Sequence, residues 1–334
     1  MTTTPPTQDR TSFPTLDALT SRLKEWEGAR AVVISTADAT GRALGNNGDD
    51  LMHAVFYRIL EQLGIQVVDT DPEVVIVPPS GALLEVYAFP RYLAERLKGY
   101  EKVPLVIFPS SVFFPDRDPA FIFAGREAAT LLFLREDDSR AHLEQQWSAS
   151  LQNAGVEVVL DHDVVASGHA FVPAILGTTT RRPLKRLVAA RIDREASSMR
   201  ASSSGERAAS ASSILHTLAA RVPYGPLYTG VSRFARRARN RGAAERLVSR
   251  AGSTLDGAVC IDISARQFAT FEEYRTTILR AESVITDRLH VALPAAIMGA
   301  DVTMVEAGYF KLGGVYRRSL SGVAHVRLVS AAGS

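Results

Sequence analysis

The stretch SVITDRLHVALPAAIMG, Ser283 to Gly299, sets a short apolar run directly before an apolar helical repeat. Ser283 to Thr286 is β-branched and apolar, and Val291, Leu293, Ala296 and Ile297 then recur at helical spacing. Thr286 or Asp287 is suited to cap that helix, which puts Asp287, Arg288 and His290 in its first turn. Free backbone N–H groups and the positive helix end attract an anion there, and an arginine can grip a phosphate or carboxylate with two parallel bonds. A histidine adds a proton donor or acceptor. In an open parallel sheet, such strand-to-helix joins line the ligand crevice at the carboxyl ends of the strands. The plainer alternative pairs Arg288 with Asp287 and packs His290 in the core beside Val291.

The same alternation runs through most of the chain. From Arg30 onward, apolar runs (Ala31–Ser35, Gln66–Val68, Val74–Val77, Val103–Phe108, Thr130–Leu134, Val156–Leu160) are separated by turns and helical segments. One such helix is expected from about Asp49 to Leu63, capped by Asp49 or Asp50. Leu184 to Ile192 opens a second half, which continues through Ala258–Ile263, a helix over Phe271–Ala281, the opening stretch, Val302–Val305 and a last strand in Val323–Val329. Strands alternating with helices give an α/β fold, and near-continuous apolar strands imply mostly parallel sheets buried on both faces.

At 334 residues the chain is long enough for two domains without covalent staples. Its single cysteine, Cys260, excludes an internal disulfide and a cysteine-based metal cluster, and its apolar surroundings suggest a small core residue. No metal and no cofactor is expected. The polar, proline-containing residues 1–13 read as a disordered lead-in with no signal-peptide pattern, and no window is apolar enough to span a bilayer, so a cytoplasmic protein is expected.

Several segments carry competing readings. The loop GRALGNNGDD does not match a dinucleotide fingerprint, and its acidic end would repel a pyrophosphate. Asn47, Gly48 and Asp49 instead suit a sugar-facing loop, or simply a turn and a helix cap. Asp161, His162, Asp163 and His169 lack firm ligand spacing, and turn and capping roles are the better reading. The serine- and alanine-rich segment near 195–213 reads as a mobile linker. From Arg221 to Arg250 there are eight arginines against one acidic residue, Glu245, interleaved with aromatics. That pattern is either a solvated charged face or, through Arg233–Arg250, a patch for an anionic membrane at the inner face; no nucleic-acid motif accompanies it.

Taken together, GNNGDDL (45–51), FPSSVFF (108–114), LLFLREDDS (131–139), the RID-E group (191–195), ITDRLHVALPAAIMGA (285–300) and KLGGVYRRSL (311–320) resemble the polysaccharide pyruvyl transferase family. The resemblance extends over most of the chain and rests on the order and spacing of these motifs. It implies a glycosyltransferase-B-like pair of Rossmann-like domains, an acceptor-side domain over residues 14–182 and a donor-side domain over 183–330. It also implies transfer of a pyruvyl group from phosphoenolpyruvate to sugar hydroxyls of an exopolysaccharide or cell-wall glycan precursor, possible on a lipid-linked acceptor. The donor is expected at the Arg288–Leu289–His290 turn, with Arg191, Arg135 and Lys311 as further cations, Asp49 as base or hydroxyl anchor, and Asn47 and Gly48 at the acceptor. A donor phosphate about 4 Å from His290 would favour its charged form by roughly 4 kcal/mol, against about 0.3–1 kcal/mol of helix-end opposition. The sequence alone expects a histidine that is neutral until donor arrives. A nucleotide-sugar glycosyltransferase and a non-catalytic glycan-binding protein are the alternatives.

Overall fold

The computed structural model describes residues 12–35, 45–192, 240–306 and 310–330. The apolar runs of the first half form one six-stranded sheet: β1 Arg30–Val33, β2 Gln66–Val67, β3 Val74–Val77, β5 Leu105–Ser110, β7 Thr130–Leu134 and β8 Val156–Leu160, in the order β2-β1-β3-β5-β7-β8. Two short strands, β4 Leu83–Leu84 and β6 Val112–Phe113, pair with each other beside it. The second half supplies β9 Leu184–Ala189, β10 Ala258–Cys260, β11 Ala281–Thr286, β12 Asp301–Val305 and β13 Val326–Val329, in the order β10-β9-β11-β12-β13. Every pairing in both sheets is parallel. Parallel strands need crossovers that cover both faces, which is why Val74–Val77 and Leu105–Ser110 are buried at every position.

The helices are α1 Asp17–Leu23, α2 Asn47–Gln62, α3 Phe89–Arg96, α4 Asp137–Gln146, α5 Ser148–Asn153, α6 Val164–Ser167, α7 Val172–Leu176, α8 over 240–250, α9 Phe271–Arg280, α10 Leu289–Ile297 and α11 Phe310–Val315. The last runs into a π-helical turn, Tyr316–Leu320. On α2, Leu51, Met52, Val55, Phe56, Ile59 and Leu60 form one fully buried stripe at i, i+3, i+4 spacing. Phe56 meets Phe108 of β5 edge to face, with centroids 4.7 Å apart, a geometry worth about 0.5–1.5 kcal/mol beyond area burial. The same cluster takes in Val284 of β11, Leu293 of α10 and Met304 of β12, so the two sheets share a continuous apolar core through α2 and α10.

Two expectations are corrected. Helix α2 begins two residues earlier than expected, because Asn46 rather than Asp49 or Asp50 is its N-cap. Cys260 lies half-buried on the edge strand β10 instead of inside the core, although burial still pushes its thiol pKa up. On α8, Ala243, Ala244, Leu247 and Val248 pack against Val188, Ile285 and Val305, while Arg241, Arg246 and Arg250 point outward. The remainder of the arginine-rich segment, the serine- and alanine-rich segment and the lead-in to residue 11 lie outside the described residues. Among the described residues, no helix is long and apolar enough to cross a membrane.

Candidate functional site

The carboxyl ends of both sheets face each other, and the chemistry-bearing residues collect between them. Helix α2 starts with a complete capping box: the Asn46 side chain accepts from Gly48 N at 2.8 Å, and the Asp49 carboxylate accepts from Asn46 N at 2.8 Å. Asp49, expected as a base or hydroxyl anchor, thus has its Oδ2 committed to backbone. Asn47, expected to orient a sugar, is buried and donates to the carbonyls of Ile263 and Ala269, each at 2.8 Å. Its own N–H donates to Ser264 O at 2.8 Å, so this asparagine ties the start of α2 to the loop after β10. Gly48 is where α2 and α10 come closest: an added Cβ would lie 2.6 Å from His290 Cβ. Asp50 pairs with Arg266 at 2.6 Å across the same seam.

At the opening stretch, β11 delivers a turn whose details differ from the expected cap. Thr286 Oγ1 donates to Ala189 O at 2.7 Å and accepts the Arg288 N–H at 3.0 Å; Asp287 turns away and accepts from Arg191 N at 2.7 Å. Burial comes first in pushing the Asp287 carboxyl pKa up. Arg288 is itself the N-cap of α10. Its guanidinium, 3% exposed, makes a two-pronged bond to Asp262, with Nε–Oδ1 at 3.1 Å and Nη2–Oδ2 at 2.5 Å. The plainer alternative pairs Arg288 with an aspartate, and the aspartate it bonds is Asp262, because the carboxyl end of β10 lies beside that of β9. Leu289 packs on the shared core.

His290 points into the seam. Its Nε2 lies 3.2 Å from Oδ2 of Asp163, and that same oxygen accepts from Arg135 Nη1 at 2.9 Å. Asp163 also caps α6, accepting from Val165 N at 2.9 Å, which matches the capping role expected for this group. Burial alone would push its carboxyl up, but His290, Arg135 and the Val165 N–H together hold it well below the usual carboxylate range. An ionised carboxylate only accepts, so His290 carries its proton on Nε2 in this bond. Asp163 thus stands beside the imidazole without any donor present.

Arg135 continues the chain of contacts. Its Nε donates to Ser111 Oγ at 2.9 Å, and Glu136 lies 3.5 Å away. Glu136 is bonded by Ser139 and by Ser111, the latter at 3.1 Å, and burial raises its carboxyl pKa. Lys311, on α11 of the second half, donates to Gly81 O after β3 and lies over the Tyr87 ring at 5.8 Å. Of the residues singled out from sequence, His290 and Arg135 thus meet through Asp163, and Lys311 reaches the same strand ends at Gly81. Arg191 and Arg288 lie on the second-sheet side with Asp287 and Asp262, and Asn47, Gly48 and Asp49 form the hinge between the two. Sequence reasoning missed the partner roles of Asp163 and Asp262, which lie 127 and 26 residues from the groups they serve, and it missed His53. His53 sits one turn beyond Asp49 on α2 with a buried, unpartnered Nε2, and burial comes first in lowering its pKa. An acidic residue two or three positions past the end of a strand was the one available signal.

Below this site, Asp161 and His162 receive the π-helical turn. Arg318 donates to Asp161 O, and His162 Nδ1 lies 3.0 Å from Ser319 Oγ. Burial raises the Asp161 pKa to about 6 and lowers that of His162 to about 4.

No family model matches the chain, and no curated protein matches it in sequence. Among solved structures, it is similar to that of an uncharacterized protein, KP1_0663, from Klebsiella pneumoniae subsp. pneumoniae NTUH-K2044, with a TM-score of 0.55 and 15% sequence identity over 94% of this chain and 98% of that one. At that identity the likeness is one of fold, an α/β arrangement of mostly parallel sheets shared over nearly the whole length of both chains.

Proposed function

We propose that the chain is a pyruvyl transferase built as two Rossmann-like halves, 14–182 and 183–330, in a glycosyltransferase-B-like arrangement. In this reading it moves the pyruvyl group of phosphoenolpyruvate onto two hydroxyls of a saccharide acceptor. The observation that carries the reading is His290, whose Nε2 is held at 3.2 Å by the ionised Asp163 between the carboxyl ends of two parallel sheets. An imidazole steered by a buried carboxylate is a competent proton donor and acceptor. Arg135 and Lys311 beside it supply the positive charge that a phosphate and a carboxylate need.

The chemistry asked of this site balances as follows. A proton goes to the methylene carbon of the donor, turning it into a methyl group and leaving C2 cationic. One sugar hydroxyl adds to C2, phosphate departs with the C2–O bond pair, and a second hydroxyl closes the ketal. The two hydroxyl protons account for the new methyl C–H and for protonation of the departing phosphate. His290, protonated on both ring nitrogens once donor is bound, gives its Nδ1 proton to the methylene carbon and takes the first hydroxyl proton in return, while its Nε2–H stays on Asp163, whose charge offsets the imidazolium.

Incubation with phosphoenolpyruvate and candidate glycans should release phosphate in step with a pyruvyl mass gain, and H290N should abolish both while leaving the melting temperature nearly unchanged. Thermal protection by a nucleoside diphosphate sugar together with silence toward phosphoenolpyruvate would replace this reading with glycosyl transfer.

A further inference from the structure

Gly81, in the turn after β3, is the point on which two cations converge. A Cβ built there would lie 3.2 Å from Arg135 Nη2 and 3.5 Å from Lys311 Nζ, the first contributed by the end of β7 and the second by α11 of the second half. The guanidinium of Arg135 is 2% exposed, and its other edges are taken: Nη1 bonds Asp163, while Nε bonds Ser111 with Glu136 nearby. Nη2 donates to no protein group among the described residues; Asp163 is bonded by Nη1, and Glu136 lies 3.5 Å from Nε. Lys311 reaches the same point from across the seam, its Nζ on the Gly81 carbonyl. Asp163 and Glu136 offset part of this positive charge, and a further anion between the two cations would be attracted by both, with a glycine leaving room for it. The backbone at Gly81 is not in the left-handed region, so its lack of a side chain answers to space and not to conformation.

We propose that Gly81, Arg135 Nη2 and Lys311 Nζ form a socket for a compact oxyanion, a phosphate group, which draws the two halves together when it binds. Arg288, fully engaged with Asp262, then has a structural role, and the donor's phosphate sits on the Arg135 side of His290. The assignment of that phosphate to phosphoenolpyruvate rests on the pyruvyl-transfer reading; the socket itself does not.

The test titrates inorganic phosphate, and separately phosphoenolpyruvate, into the full-length protein by calorimetry at fixed ionic strength, with G81A and K311M alongside. An alanine at 81 meets Lys311 Nζ at ordinary contact distance and needs a few tenths of an ångström of give from the Arg135 Nη2 end of its side chain, so G81A should melt close to the wild type while filling the socket. Saturable phosphate binding that weakens at least tenfold in both variants supports the socket. Phosphate binding that does not saturate, or that G81A leaves at wild-type affinity, overturns it. If both variants weaken phosphate yet no glycan gains a pyruvyl mass, the socket stands and the pyruvyl-transfer reading falls. If G81A turns over phosphoenolpyruvate with wild-type kcat/KM, the socket falls and the transferase reading stands.

Discussion

Asp163 and Asp161 lie two residues apart and should affect stability in opposite senses. Asp163 is held well below its ordinary value, so its contribution is fully present above the unfolded value near 4 and is lost as pH falls below it. D163N would leave Arg135 and His290 facing each other without the carboxylate; a loss of about 3–5 kcal/mol in urea unfolding at pH 7 is expected, in the range for breaking a buried pair from one side. Asp161 is raised to about 6, so it disfavours the folded state increasingly as pH rises from about 4 to 6. D161N should therefore stabilise the protein by about 1–3 kcal/mol at pH 7.5 and by nothing at pH 4. His162, lowered to about 4, works the other way: its neutral folded form costs stability as pH falls from about 6.5 to 4. The two slopes offset each other in the wild type, and D161N should expose the histidine slope as a melting temperature that drops steadily below pH 6.5. A flat profile for D161N would show that His162 is not buried as described.

At the scale of elements, the junction of α2 and α10 decides whether the halves seat. G48A would press a methyl group to 2.6 Å from His290 Cβ, backbone-borne on both sides, and should cost about 1–3 kcal/mol by chemical denaturation while displacing His290 from Asp163. Turnover should therefore fall further than stability does. N46A removes the cap of α2 and the acceptor for Ser264 Oγ at 2.7 Å, for an expected loss of about 1–2 kcal/mol. D49N tests capping against the base or anchor role expected of that residue, since capping alone predicts a stability loss of up to about 1 kcal/mol with the acceptor KM unmoved. The π-helical turn after α11 is held by Arg317 on Asp138 at 2.9 Å and by His162 on Ser319, so it straps the second half onto the strand ends of the first.

For the molecule as a whole, one apolar cluster runs from Phe56 and Phe108 through Leu293 to Val284 and Met304, and Asn47 stitches its edge with two side-chain bonds. A chain whose sheets share a core should unfold in one cooperative step, with coincident fluorescence and far-ultraviolet transitions; two separated transitions would contradict this. N47A, which strands two buried carbonyls, should lower the midpoint without splitting the transition. Much of this plan was legible beforehand. The apolar runs and their helical partners gave an α/β fold of parallel strands, and the strand-to-helix join at Asp287 to His290 already stood out as a place suited to an anion, because strand and helix periodicities are local properties of the chain. What local spacing could not supply was which carboxylate meets which cation. Thr286, Asp287 and Asp49 all had the right type to cap, yet Arg288 and Asn46 took those places, and the two-pronged bond to Arg288 comes from Asp262, 26 residues away. Asp163, His290, Arg135 and Lys311 come from widely separated strand ends and become neighbours only when two parallel sheets face each other. Sequence thus determined the elements and the residues at their ends, through backbone geometry and burial. The tertiary structure alone decided their pairing, because charge interactions act through space and follow the facing of the sheets.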